Sequence, residues 1–114
     1  MTDRMTADQY NHLTAVGSKG KTPETLLKEV CVTWLKLEGW LVKSWFQQGM
    51  VPKSLQGMPD KIAVKNGRHV WIEFKVPGKN LSPKQQERKA ELEAAGATVL
   101  VVHSLDELIE LLEG

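Results

Sequence analysis

Residues 57–76 read GMPDKIAVKNGRHVWIEFKV. Asn66-Gly67 is a strong signal for a two-residue hairpin loop, since both central positions of the favoured turn need positive φ. Alternating runs flank it and predict strands over about 60–65 and 69–76. In that register Lys65 faces Arg68, Ile62 faces Trp71 and Asp60 faces Glu73. Two carboxylates directly opposed across a strand pair repel and cost stability. Lys75 lies two residues beyond Glu73 and shares its face. Such a pair stays doubly ionised only with a cation between its members; otherwise one member takes up a proton. A hard divalent ion such as Mg²⁺ binds through one or two carboxylates, keeps several waters and accepts phosphate oxygens. The pair therefore points to a metal site with a lysine beside it. Singly, Pro-Asp is an ordinary turn dipeptide and Glu-x-Lys an ordinary solvated pair. The hairpin is what brings them face to face.

Outward from the hairpin, punctuation marks divide the chain. Thr22-Pro23 reads as a cap followed by proline at the first helical position, and ETLLKEVCVTWLKLEG carries apolar residues at helical spacing up to Gly39. Trp40 to Phe46 alternates loosely and predicts a first strand, and residues 47–59, with Gly49, Pro52, Gly57 and Pro59, predict a loop. Pro77-Gly78 stops the second hairpin strand. Ser82-Pro83-Lys84-Gln85 is a capping box that opens a helix to Ala95, closed by Gly96. ATVLVV, residues 97–102, predicts a strand buried on both faces. Ser104 to Glu107 predicts another capping box and a last helix to about Leu112. The order is α-β-β-β-α-β-α, an α/β fold with a mixed sheet flanked by helices. Residues 1–21 are polar with Gly17, Ser18 and Gly20, and read as a flexible N-terminal arm; residues 22–114 read as a single domain.

The 114 residues suffice for a core without disulfides or structural metal. Net charge is +1, so overall charge excludes little, but the middle of the chain is basic and the tail after Ser104 acidic. The lone Cys31 falls in an apolar helical pattern and reads as a buried thiol. No apolar run approaches the ~20 residues that span a bilayer, and the first residues lack a signal-peptide core. A reducing, cytoplasmic compartment is expected, with no membrane partner.

GMPD, then IEFK, then GKNLSPKQ resembles the PD-(D/E)xK nuclease superfamily, and within it the virus-type replication-repair nuclease (VRR-NUC) domain. The likeness covers about residues 22–103: Glu24 in an early helix, Gly57-Met58-Pro59-Asp60, Glu73-Phe74-Lys75, and Leu81-Ser82-Pro83-Lys84-Gln85. It implies a restriction-endonuclease-like fold and Mg²⁺-dependent hydrolysis of DNA phosphodiesters, with Mn²⁺ also accepted. It implies that Asp60, Glu73 and the Phe74 backbone carbonyl bind the metal. Lys75 would position the attacking water. Glu24 would reach the metal through water or hold a second ion, and Gln85 would orient Lys75 or a water on the metal. Glu24 and Gln85 also have plainer roles: an acidic residue in a first helical turn contributes ~0.3–1 kcal/mol by itself, and Gln85 completes a capping box.

Near such a site Lys79 and Lys84 are the best candidates for phosphate contacts, with Lys53 also facing DNA. Lys61, Lys65 and Arg88 read equally as solvated surface. Trp34, Trp40, Trp45 and Trp71 read as packing residues, and His12, His69 and His103 have no zinc-ligand spacing with Cys31. Stand-alone members of the family resemble four-way (Holliday) junction resolvases, so branched DNA is the implied substrate. Symmetric cutting of two strands favours a homodimer. Candidate contacts are Trp40–Met50, with Trp45 and Phe46, and the leucine-rich tail Leu105–Leu112, although that helix can equally pack on its own sheet. The rival readings are a monomeric flap or nicking nuclease and a non-cleaving DNA-binding module of the same fold.

Overall fold

The computed structural model describes residues 20–44 and 51–113. The expected arm, apart from Gly20 and Lys21, lies outside them, as do His12, Trp45 and Phe46. Helix α1 (Pro23–Leu37) begins where Thr22 Oγ1 accepts the Thr25 N–H at 3.2 Å. Strand β1 (Leu41–Lys43) pairs antiparallel with β2 (Lys61–Lys65), and β2 pairs antiparallel with β3 (Arg68–Phe74). Helix α2 (Pro83–Ala94) crosses over to β4 (Thr98–Val102), which runs parallel to β3, and α3 (Leu105–Glu113) closes the fold. The sheet order is β1-β2-β3-β4. The element order is the expected one, with a 3-10 turn added at Lys53–Leu55. β3 ends at Phe74, short of the expected Val76, although the Lys75 N–H still donates to the Val102 carbonyl at 3.0 Å.

One sheet face carries the core. Val70, Ile72 and Phe74 alternate along β3 and are buried with Ala63 and Val102 against Val30, Cys31, Trp34 and Leu35 of α1 and Leu105, Leu108 and Leu112 of α3. Most of the leucine-rich tail thus packs on its own sheet; Leu111 stays 43% exposed. Burial pushes the Cys31 thiol up to about 12, as expected of an inert core thiol. On the other face α2 lies over Val99, Val101 and Glu73. β4 is buried from both faces, as its composition implied, with Val99 under α2 and Val102 in the core; it is nevertheless a sheet edge, and Thr98 at its start is exposed.

Two cations expected on the surface, Lys65 and Arg88, are structural instead, and Arg68 makes a contact of the same kind. Lys65 donates to the Glu38 carbonyl (2.5 Å) at the end of α1, and Arg68 to the Leu112 carbonyl (2.7 Å) at the end of α3. These bonds satisfy acceptors that a helix terminus leaves open. Arg88 is buried under the 53–56 turn, donating to the carbonyls of Gln56 (2.9 Å) and Lys53 (3.1 Å) and pairing with Glu91 (2.6 Å). Ser104 caps α3 through the Glu107 N–H (3.1 Å), but the Glu107 carboxylate reaches back to the His103 N–H (2.9 Å), one residue before the position a capping box uses.

Gly57 sets how closely the loop meets α2. Its φ is +83°, and a Cβ there would lie 2.7 Å from the Lys84 carbonyl carbon and oxygen. Gly67 has a similar φ of +79° but open space around it. Gly67→Ala should therefore cost only the left-handed strain of about 1–2 kcal/mol. Gly57→Ala adds a backbone collision and should cost clearly more, at least about 3 kcal/mol in urea unfolding. Equal losses in the two variants would mean that the loop does not bear on α2.

Candidate active site

The β2–β3 register is Lys65↔Arg68, Ile62↔Trp71 and Lys61↔Ile72, as the Asn66-Gly67 turn implied. One step beyond the last pair, Asp60 meets the end of β3 with its side chain rather than its backbone. Its Oδ2 accepts the Phe74 N–H at 3.0 Å. Its Oδ1 lies 3.4 Å from Lys28 Nζ, which arrives from α1.

Glu73 is 4% exposed. Its Oε2 accepts the Gln85 side-chain amide at 3.1 Å, while Oε1 is buried and, among the described residues, has no hydrogen-bond partner. Beside Glu73 is a cavity of about 10 Å³, walled also by Gly57, Pro59 and Gln85. Gln85 serves two roles at once. Its Oε1 accepts the Ser82 N–H (2.9 Å), closing the capping box, and its Nε2 serves Glu73. The capping box thereby fixes the rotamer that delivers the amide, and the amide goes to Glu73, not to Lys75.

Burial, first, and the neighbouring Asp60 charge, second, raise the Glu73 pKa from its ordinary 4.5 to about 8; a hydrogen bond between the two side chains adds to the rise. Lys75 and Lys28 pull it the other way, so both ammonium groups bear electrostatically on the carboxylate. In this cation-free chain the pair keeps one proton near neutral pH. Ionised, it presents a buried oxygen with no donor, which a cation can satisfy.

Asp60, Glu73, Lys75 and Gln85 are thus brought to one end of the sheet. Glu24 is not grouped with them. It is exposed in the first turn of α1, and among the described residues no three or more His, Cys, Asp or Glu side chains cluster to hold a metal. Lys53, Lys79 and Lys84 are exposed, with Lys84 3.5 Å from Glu87. His69 is exposed and bonds its own turn at the Gly67 carbonyl (3.1 Å). Lys28 was not singled out by the sequence. Its one signal was spacing: it lies four residues after Glu24, on the same helix face.

No family model matches the chain. A solved structure described as "VRR_NUC domain" superposes with a TM-score of 0.68 at 23% identity, over 81% of this chain and 96% of that one. A second, "VRR_NUC domain protein", gives a TM-score of 0.49 at 19% identity, over 97% of this chain and 88% of that one. The first likeness establishes the fold: the chain has the VRR_NUC architecture that GMPD, IEFK and LSPKQ implied. The protein named "Putative nuclease p44" of Acyrthosiphon pisum secondary endosymbiont phage 1 is 38% identical over 52 residues, or 45% of this chain and 56% of that protein. The chain therefore matches only about half the length of that curated relative.

The raised Glu73 pKa makes stability depend on pH. Above about 4.5 the unfolded chain gives up this proton while the folded chain keeps it, so the contribution is complete below 4.5 and is lost as pH rises through about 8. In chelator, wild-type stability should fall between these limits by up to about 1.4 kcal/mol per pH unit from this group. Glu73→Gln, neutral throughout, should remove that share of the slope. Parallel denaturation curves from pH 5 to 9 measure it, and identical slopes for the two proteins would show Glu73 already ionised at pH 5.

Proposed function

We propose that this chain is a Mg²⁺-dependent endodeoxyribonuclease, also active with Mn²⁺, that hydrolyses phosphodiester bonds in branched DNA such as four-way junctions. The observation that carries the reading is the enforced meeting of Asp60 and Glu73 at the end of the sheet, under the charge of Lys75. The name of the phage protein matched over 52 residues supports the same chemistry.

The donors fit a hard cation. They are oxygens only, and one of them, Glu73 Oε1, is buried without a partner among the described residues. Asp60 and Glu73 would hold the ion, with the Phe74 carbonyl between Glu73 and Lys75 as the backbone donor. When bound, the ion supplies Lewis acidity toward the scissile phosphate and makes water acidic enough to attack. The chain's own residues do the rest. Gln85 fixes the Glu73 carboxylate through Oε2, and the Phe74 N–H fixes Asp60 through Oδ2. Lys75 orients the attacking water and stabilises charge that develops on the phosphate oxygens. Glu24, on the Lys28 face of α1, would act through water or at a second ion. Lys53, Lys79 and Lys84 would contact flanking phosphates.

A junction cutter must present two sites in fixed relation, so the reading includes a homodimer. β1 is a sheet edge, and Leu41 on it is 57% exposed with Leu37 nearby in sequence at 68%. Apolar surface on an edge strand favours association there.

The test incubates the purified chain with four-way junction, flap, fork and linear DNA, with and without Mg²⁺. Cleavage should need Mg²⁺ and prefer the junction. Asp60→Ala and Lys75→Ala should each lower the rate by about 10²–10³ or more while circular dichroism stays unchanged. Cleavage that survives both variants would defeat the mechanism. Sedimentation on the junction should give a dimer; a monomer there would favour the flap nuclease. Lys79→Ala and Lys84→Ala should each reduce the salt dependence of DNA binding by about one counterion.

A further inference from the structure

Beside the carboxylate pair, on the α1 side, a groove of about 410 Å³ is lined by Thr25, Lys28, Glu29, Val32, Thr33 and Lys61. We propose that this groove holds a stretch of DNA backbone and that Lys28, which joins it to Asp60, is the residue that positions a phosphate next to the reacting one. The inference rests on the nuclease reading above and extends it to the path of the strand.

Its chemistry suits a hydrated polyanion. Two ammonium groups and two hydroxyls line it, and its single acid, Glu29, is engaged by Lys21 at 2.6 Å. The local balance is positive, and Val32 is its one aliphatic wall residue. Lys61, on β2 next to Asp60, anchors to the Ser44 hydroxyl and so presents its charge from a fixed place. The groove reaches the site through Lys28, whose side chain is 33% exposed and whose Nζ is 3.4 Å from Asp60 Oδ1.

The position of Lys28 gives it two competing attractions. In the cation-free chain it faces Asp60 and lowers the cost of that charge. A divalent ion held by Asp60 would repel an ammonium at this range. The four-carbon stem of lysine lets the head move while its root on α1 stays fixed. Released from Asp60, the head meets the groove, where a phosphate oxygen replaces the carboxylate as its partner. If Lys28 served only to neutralise Asp60, its removal would raise cation affinity and leave DNA binding alone. Contact with phosphate predicts effects of opposite sign on the two ligands.

The experiment measures Mn²⁺ binding by calorimetry and binding of a labelled four-way junction in Ca²⁺ over a range of salt. Lys28→Gln should bind Mn²⁺ at least about threefold more tightly, because a like charge beside the ion is gone. It should bind the junction about three- to tenfold more weakly, with a salt slope reduced by about one counterion. Lys28→Arg should restore junction binding. Lys61→Gln should weaken junction binding with little change in Mn²⁺ affinity. Unchanged junction affinity and salt slope in Lys28→Gln would overturn the proposal, as would weaker Mn²⁺ binding in that variant. Asp60→Ala separates this failure from a wider one. If it abolishes Mn²⁺ binding while Lys28→Gln is inert, only the groove assignment falls; if it leaves Mn²⁺ binding intact, the nuclease reading falls with it.

Discussion

The left-handed pair Asn66 (φ 50°) and Gly67 (φ 79°) holds β3 against β2 in one register, and that register carries Asp60 to the end of β3. A slip of one residue would turn Val70, Ile72 and Phe74 out of the core and Glu73 into it. Two demands therefore coincide. Burial of Val70, Ile72 and Phe74 and the meeting of the two carboxylates are satisfied by the same pairing. The like-charge contact cannot be relieved by sliding the strands, because the core would be lost first.

The surroundings of the pair restrain it from three directions. Gly57 lets the loop before Asp60 lie against the first turn of α2, and Arg88 fastens the preceding turn from beneath. Gln85, oriented by the cap of that helix, holds Glu73. Phe74 donates its backbone N–H to Asp60 and buries its ring in the core. In the proposed reading, a proton and a cation would compete for this one oxygen cluster.

The hairpin, the helix starts and the Asp60–Glu73 meeting were legible because each follows from local rules: a turn dipeptide, a cap, a period of two. Gln85 was half legible. Its capping role follows from Ser82, but its second bond depends on where α2 lands on the sheet. Lys28 and Arg88 were not legible, since both make contacts more than thirty residues away, where no spacing rule reaches. Lys65 misled for a related reason: a cation beside a turn looks solvated until the helix that ends beside it is placed. The edge position of β4 was hidden because ATVLVV has the composition of an inner strand.

Two cations at the hairpin tip, Lys65 and Arg68, also report how the helices lie. Lys65 takes the Glu38 carbonyl that caps α1 and Arg68 the Leu112 carbonyl near the end of α3, so both helices finish at the hairpin end of the sheet. Lys28 near the start of α1 and Gln85 near the start of α2 reach the carboxylates, and α3 begins where β4 leaves that same end. All three helices therefore place their amino termini, each worth roughly half a positive charge, at the sheet end that holds Asp60 and Glu73. A chain with a net charge of only +1 is in this way electrically polar through its backbone. Each such terminus adds partial positive charge at that end of the sheet.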